Sequence, residues 1–186
     1  MLITDIHDLL DFLNSAGEAL FRLETLDRYA VPSDGGDYGR YLAGEPGPDP
    51  QRKAAWHAEL QAKRDRGVYL HRVHVVRSPL SPYLRYEFEW AHRLNLPWED
   101  IRVADLAANP AAAPLADVGD FWMADSQAVA AMRYDGGGRF LGYELAGDAE
   151  LPLYRAVRDI AWLTAEPFSD YWDDHPQFWR GNRQAA

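Results

Sequence analysis

Apolar residues recur along the chain at two spacings, which predict helices and strands in turn. Intervals of three or four positions predict helices over residues 4–16, 50–66, 82–94 and 150–164. Short apolar or alternating runs predict strands over residues 19–29, 68–76, 101–106, 120–125, 128–135 and 139–145. The run at 68–76 does not alternate cleanly, which is typical of a strand buried on both faces.

The order of these elements predicts the fold class. Helices and strands alternate in the first half, whereas the second half reads as a meander with turns at Asp125-Ser126 and at Gly136–Gly138, followed by a closing helix. This order favours an α/β domain with a mixed sheet flanked by helices over residues 1–165. Residues 31–50, rich in Pro, Gly and Asp, are interpreted as a loop. Residues 166–186 are interpreted as an aromatic tail, packed on the domain or on a partner.

Composition excludes several classes of protein. With 186 residues, 47% of them hydrophobic, the chain is long enough to fold around its own core. A formal net charge of -10 argues against direct nucleic-acid binding, which depends on neutralised phosphates. The chain has no cysteine, so disulfides and Cys-ligated zinc are excluded. No apolar run reaches the roughly 20 residues that span a bilayer, and the N-terminus lacks the basic flank of a secretory signal, so we expect a cytoplasmic protein without membrane contact.

The six histidines carry no evident metal motif. His71 and His74 are three apart on a predicted strand, so their side chains are expected on opposite faces of the sheet. The other four occur singly, at His7, His57, His92 and His175. We therefore interpret the histidines as structural or surface residues, and we predict neither a metal nor a cofactor.

Common catalytic patterns are also missing from the sequence. There is no GxSxG, and the run of three glycines from Gly136 lacks the Lys-Ser/Thr of a phosphate loop. Asp120 and Asp125 bracket a predicted strand, but five residues of strand place them about 16 Å apart on opposite faces. No acid/base pair follows from spacing alone.

The segment from Ser78 to Glu87 is the most specific candidate for a binding site. Two prolines fix a turn, and a serine can cap the helix that follows. A helix start beside the end of a buried strand is where open α/β sheets usually bind ligands. The predicted ligand-binding residues are Arg72, Ser81, Tyr83, Arg85, Tyr86 and Glu87, with Glu87 as the proton-transfer residue if the protein is an enzyme.

Helical spacing divides this segment into two faces, and a purely structural role is the alternative. Tyr83, Glu87 and Trp90 are expected on one face, and Arg85, Glu89 and His92 on another. In the alternative interpretation the turn is a helix cap, and Arg–Glu pairs fasten the helix to the sheet.

Several of these runs resemble a known family. The matching segments are Arg22–Glu24 (RLE), Arg66–Val68 (RGV), the PLSPYLRYE run, the EDIR that follows Asn95, and the DFWMAD run. Together they resemble an uncharacterised actinobacterial domain-of-unknown-function family over about residues 12 to 165. Members of that family are commonly encoded near helix-turn-helix regulators, and the family name implies no activity.

The order of segments is also similar to one half of the phospholipase D-like fold. In that fold the strand pair that DFWMADSQAVAAMRYDGGGRFLGYEL resembles usually carries a His-x-Lys motif. No His-x-Lys occurs in this chain. The resemblance therefore implies a relative without phosphodiesterase activity.

Two main hypotheses of function follow. The first is a non-catalytic regulatory or partner-binding domain, acting with a helix-turn-helix transcriptional regulator or a similar protein partner. The alternative is an enzyme or small-molecule sensor that binds an anionic metabolite in the Arg/Tyr/Glu pocket. A homodimer formed through the aromatic tail is a third possibility.

Overall fold

A computed structural model describes residues 1–30 and 36–182, with seven strands in one mixed sheet at its centre. The strands are β1 (Ala19–Glu24), β2 (Tyr69–Val76), β3 (Asp100–Asp105), β4 (Phe121–Ala124), β5 (Ala128–Tyr134), β6 (Phe140–Leu145) and β7 (Glu166–Pro167). Their order across the sheet is β6-β5-β4-β1-β2-β3-β7. Strands β1, β2 and β3 are parallel, and the other neighbouring pairs are antiparallel. The predicted α/β class with a mixed, helix-flanked sheet is confirmed.

The helices agree with the predicted ones at four places and add two. They are α1 (Ile6–Asn14), α2 (Asp37–Leu42), α3 (Pro50–Asp65), α4 (Pro82–Glu87), α5 (Arg93–Asn95), α6 (Leu151–Thr164) and α7 (Phe168–Asp174). A π-helical turn, Phe88–His92, joins α4 to α5. Short 3₁₀ turns occupy Pro110–Leu115, Pro176–Phe178 and Arg180–Asn182. Asp5 caps α1 by accepting from the His7 N–H at 2.8 Å, and Asp49 caps α3 in the same way.

Each face of the sheet packs against helices, but the two faces differ in polarity. One face packs Phe21, Leu23 and Val73 against α6 and the 3₁₀ turn Pro110–Leu115. The opposite face is apolar at its two ends only, packing against α1 and α3 at one end and against α4, the π turn and α7 at the other. Between these ends lies a buried strip of charged residues from β1 and β2. As predicted, β2 is buried on both faces over most of its length.

Strand β1 ends at Glu24, five residues earlier than predicted. The next two backbone N–H groups are bound by side chains rather than by a neighbouring strand. The N–H of Thr25 donates to Asp120 at 2.8 Å, and that of Leu26 donates to the Tyr29 hydroxyl at 3.3 Å. The chain leaves the sheet there because its donors are satisfied elsewhere.

The predicted loop at 31–50 contains helix α2, and its residues 31–35 lie outside the described part of the chain. Helix α2 is only six residues long, and tertiary packing stabilises it. The ring of Tyr38 lies 5.3 Å from that of Tyr83, and the ring of Tyr41 lies 5.4 Å from that of Trp90. Local composition gave no sign of these contacts.

The final segment also has more regular structure than predicted. Residues Glu166–Pro167 add a short antiparallel strand beside β3, and helix α7 follows. Phe168, Tyr171 and Trp172 are buried at spacings of three and four, together with Phe178. Three aspartates stand between or after these aromatic residues, and they obscure the helical period in the sequence.

The predicted tight turn between β4 and β5 is confirmed. Asp125 and Ser126 both have positive φ angles, of 51° and 59°. The Asp125 carboxylate accepts from the backbone N–H groups of Gly17, Glu18 and Ala19, at 2.8–2.9 Å. This contact fixes the start of β1 to the hairpin. Among the described residues, every helix is too short or too polar to cross a bilayer.

Candidate functional site

The charged strip arises from the strand register. Arg22 of β1 lies opposite Arg72 of β2, and Glu24 lies opposite His74. Because side chains alternate along a strand, all four project from the same face, away from α6. All four are buried. Buried charges require partners, and this strip is built from such pairs.

Arg72 is the centre of the ion-pair network. Its Nη1 donates to Glu24 Oε2 at 2.7 Å, and its Nε donates to Glu99 Oε1 at 2.9 Å. Burial alone would raise the pKa of Glu24, but the guanidinium groups of Arg72 and Arg22 outweigh burial and hold that pKa well below its usual range. Glu24 is therefore ionised in the folded protein.

Arg22 extends the network toward β4. Its Nη2 donates to Asp120 Oδ2 at 2.9 Å, and its Nε lies 3.5 Å from Glu24 Oε1. Asp120 also accepts from the Tyr29 hydroxyl at 2.7 Å. The guanidinium of Arg22 lies 5.0 Å from the Trp122 ring centre, which adds a cation–π contact.

Two histidines and Glu24 converge beside this network. His74 Nδ1 lies 3.1 Å from His92 Nε2 and 3.6 Å from Glu24 Oε2. The three potential ligand atoms of this triad all lie within 4.8 Å of one another. Burial lowers the pKa of both imidazoles, and the positive charge of Arg72 lowers the pKa of His92 further. Both rings are therefore neutral, the form that can bind a metal.

The π turn brings His92 to the triad. An α-helix would place His92 on the face of Arg85 and Glu89, as the sequence predicts. The wider turn instead directs the buried His92 ring toward β2, while the Glu89 carboxylate accepts from the Tyr41 hydroxyl at 3.1 Å. The predicted shared face of Arg85, Glu89 and His92 is therefore wrong. Single π turns of this kind are frequent at functional sites.

Glu87 lies next to the triad without a hydrogen-bond partner for one oxygen. Its Oε2 is buried, lies 3.9 Å from His74 Nδ1, and meets no donor within the described part of the chain. Burial and the nearby negative charge of Glu24 raise the pKa of Glu87 well above its usual value. A carboxyl group held neutral in this way can donate a hydrogen bond or a proton to a bound molecule.

A cleft of about 280 Å³ opens beside these groups, between α3 and the π turn. Arg72, Glu87 and His92 reach it from the charged strip. The rest of the lining is largely aromatic or polar: Lys53, Trp56, His57, Trp90, Ala91, Asn95 and Trp122. The cleft therefore joins indole rings to buried ionisable groups.

Of the six ligand-binding residues predicted from sequence, the structure brings two together. Arg72 and Glu87 line the cleft, and the other four lie elsewhere. Ser81 caps α4 by accepting from the Leu84 N–H at 3.1 Å, as its sequence position suggests. Arg85 Nε donates to the Leu80 carbonyl, and its guanidinium lies 5.3 Å from the Phe178 ring centre.

Tyr83 and Tyr86 belong to the apolar cluster under α2. Both are buried, and their ring centres lie 5.6 Å apart. Their rings also contact Tyr38, at 5.3 Å in each case. They pack the helix against its neighbours and do not line the cleft.

Sequence reasoning missed Glu24, His74, His92, Asn95 and Trp122 as site residues. The sequence contained one indication of the site. Residues two apart on a strand share a face of the sheet, so Arg22 and Glu24 share one, as do Arg72 and His74. The prediction that His71 and His74 lie on opposite faces is confirmed, since His71 packs 5.2 Å from Trp162 of α6. The partner of His74 is His92, on a separate element, and spacing along one strand cannot reveal such a pair.

Comparison with known proteins identifies the family. A family model described as "Domain of unknown function (DUF6879)" matches residues 7–173. The chain therefore belongs to this family. The comparison with curated proteins finds no match.

Proposed function

We propose that this member of the DUF6879 family is a small-molecule-binding domain whose cleft takes a planar, nitrogen-containing ligand, neutral or cationic. One observation carries the proposal: Glu87 offers a buried oxygen without a partner at a cleft lined by indole rings. A nitrogen group on the ligand would satisfy that oxygen. Leaving it unpaired costs the protein about 1–3 kcal/mol.

The charges around the cleft favour this ligand over an anion. Each cationic side chain of the lining already faces a carboxylate. Arg72 is held between Glu24 and Glu99, and Lys53 Nζ lies 3.6 Å from Asp37. An anion would therefore have to compete with buried carboxylates for these groups, whereas a cation or a neutral amine would not.

The shape and the lining also suit a flat ring. Indole faces stack well on heteroaromatic rings and attract cations. A cleft of about 280 Å³ is slightly smaller than the roughly 300–1,000 Å³ typical of ligand pockets. A ligand of the size of one or two fused rings fits that volume.

Melting temperatures measured with a matched pair of compounds test the proposal. Benzamidine and benzoate share a ring and differ in charge, and adenine and cytosine add neutral ring nitrogens. We expect benzamidine or a nucleobase to raise the melting temperature, by roughly 5–10 °C at 100 times its Kd. All measurements are made with a chelator present, so that a metal ion does not contribute.

Variants then locate the binding site. Glu87→Leu removes the hydrogen bond at similar volume and should weaken binding by about 10-fold or more. Arg85→Ala is the matched control, because Arg85 lies on the same element outside the cleft, and its shift should equal that of the wild type. A shift with benzoate alone, or one lost in Arg85→Ala and kept in Glu87→Leu, would contradict the proposal. It would instead favour the anionic pocket expected from the sequence.

The regulatory role expected from the sequence stays a second proposal. A net charge of -10 suits a basic protein partner, such as a helix-turn-helix regulator, with association that weakens at high salt. Ligand binding and partner binding are compatible, because a sensor domain passes its ligand state to a partner. The phospholipase D-like relationship, the actinobacterial origin and the cytoplasmic location also stay predictions.

A further inference from the structure

We propose that Glu24, His74 and His92 bind a divalent first-row transition-metal ion. The proposal goes beyond the ligand of the cleft and does not depend on it. It rests on the distances within the triad, on the charge of its surroundings and on the chemistry of its donor atoms.

The distances fit a shared ion. Zinc lies about 2.0–2.2 Å from histidine nitrogen and carboxylate oxygen, so two ligands of a tetrahedral ion lie about 3.4 Å apart. The separation of His74 Nδ1 and His92 Nε2 is 3.1 Å, and that of His74 Nδ1 and Glu24 Oε2 is 3.6 Å. Both values lie close to the expected one. His92 and Glu24, the third pair, lie within 4.8 Å of each other, so an ion between the three atoms requires these two side chains to approach by at most about 1.4 Å.

The surrounding charges leave room for two positive charges. Four carboxyl groups (Glu24, Glu87, Glu99 and Asp120) lie in or beside the strip, and two guanidinium groups (Arg22 and Arg72) face them. With Glu87 neutral the cluster has one net negative charge, and a divalent cation would balance its formal charges once Glu87 releases its proton. Such a balance matters because unpaired charge is costly in a buried site.

The neighbours of the triad resemble the outer shell of a metal site. Glu24 is held by Arg72 at 2.7 Å, and hydrogen bonds of this kind orient a carboxylate ligand. Two imidazoles and one carboxylate suit Zn²⁺, Fe²⁺ or Co²⁺ better than Mg²⁺ or Ca²⁺, which prefer oxygen ligands. Three protein ligands also leave a coordination position free, as in catalytic sites. His92 and Glu87 both line the cleft, which gives an ion a route to the triad.

Cobalt binding tests the site directly. The untagged chain of 186 residues is freed of metal with a chelator and titrated with Co²⁺ while its visible absorption is recorded. We expect a band that saturates at one Co²⁺ per chain and disappears when Zn²⁺ is added. His74→Gln and His92→Gln should each weaken binding by more than about 100-fold, since even changes to outer-shell groups cost about 10–100-fold.

His71→Gln is the matched control. It removes a buried histidine from the same strand on the opposite face, and it should keep the cobalt band. A band that never saturates, or one that is equally strong in His71→Gln and His74→Gln, would overturn the proposal. If a triad variant fails to fold, the wild-type titration still tests the proposal, because a wild-type chain without a saturable band that Zn²⁺ displaces would overturn it. The melting shifts with benzamidine are measured in chelator, so failure of either proposal leaves the other to be judged separately.

Discussion

At the scale of single residues, Arg72 is the group on which the charged strip depends. It is 7% exposed and donates to two buried carboxylates, at 2.7 and 2.9 Å. A buried ion pair contributes little compared with a well-packed apolar pair, but removing one member leaves the other uncompensated. Loss of Arg72 would leave Glu24 and Glu99 buried without this positive partner.

We therefore expect Arg72→Met to lower the free energy of unfolding by about 3–5 kcal/mol at pH 7. Urea unfolding followed by circular dichroism measures the change. Arg133→Met is the control, because Arg133 pairs with Glu144 at 2.7 Å on the surface, where such a pair contributes less than about 1 kcal/mol. Equal decreases in the free energy of unfolding of the two variants would contradict this prediction. They would mean that Glu24 and Glu99 do not need the charge of Arg72 to stay buried.

Residue-level prediction from sequence succeeded where one element decides the outcome. The opposite faces of His71 and His74 and the cap at Ser81 both follow from local geometry. It did not succeed where separate elements meet. His92 reaches His74 through a π turn, and an assumed α-helical period rotates it to the wrong face. Among the predicted site residues, Arg72 and Glu87 reach the cleft because strand alternation and tertiary packing place them there.

At the scale of elements, α7 completes the apolar cluster that covers the π turn. The ring of Phe168 lies 5.3 Å from that of Phe88 and 5.8 Å from that of His92. Phe168 is 1% exposed. The aromatic tail is thus part of the wall behind the triad, and its removal would uncover the π turn.

Phe168→Ala should destabilise the protein by about 3–5 kcal/mol, because it leaves a cavity in a closely packed cluster. Leu163→Ala is the control: Leu163 is 84% exposed at the end of α6, and a surface change of this kind stays within about 0.5 kcal/mol. Thermal or urea unfolding of the two variants provides the comparison. A small effect at Phe168 would indicate that α7 is only loosely attached to the sheet.

Elements with strong periodicity were predictable, and those that depend on distant contacts were not. Helices α1 and α6 have apolar periods in their own sequence, α3 has a capping Asp49 and a proline at its start, and the strands have apolar runs bounded by turns. Helix α2 has neither, since its tyrosines are stabilised by rings of α4 and the π turn. The same holds for the early end of β1, which depends on the side chain of Asp120.

At the scale of the whole molecule, the packing of α6 over the sheet makes the stability of the protein depend on pH. On the face that carries α6, His71 packs among Phe21, Tyr69 and Trp162. Burial lowers the pKa of His71, a hydrogen bond with the Tyr69 backbone opposes that shift, and the positive charge of Arg158 adds to it, so that the resulting pKa is about 4. His71 and Asp159 both line a cavity of about 470 Å³ between β2 and α6. Because His71 does not contact the triad, its titration can be followed independently of any metal.

The sign of the effect follows from proton uptake. Between about pH 6.5 and pH 4 the unfolded chain binds a proton at His71, whereas the folded chain does not, so acid favours unfolding across that window. From pH 7 to pH 4.5, we expect this single group to remove about 2–3 kcal/mol of unfolding free energy. His71→Gln cannot take up the proton. Urea unfolding is measured in chelator at pH 7 and at pH 4.5. The decrease in unfolding free energy between the two pH values should be smaller in the variant than in the wild type, by about 2–3 kcal/mol. Equal losses would mean that water reaches the imidazole and that the packing of α6 over β2 does not exclude it.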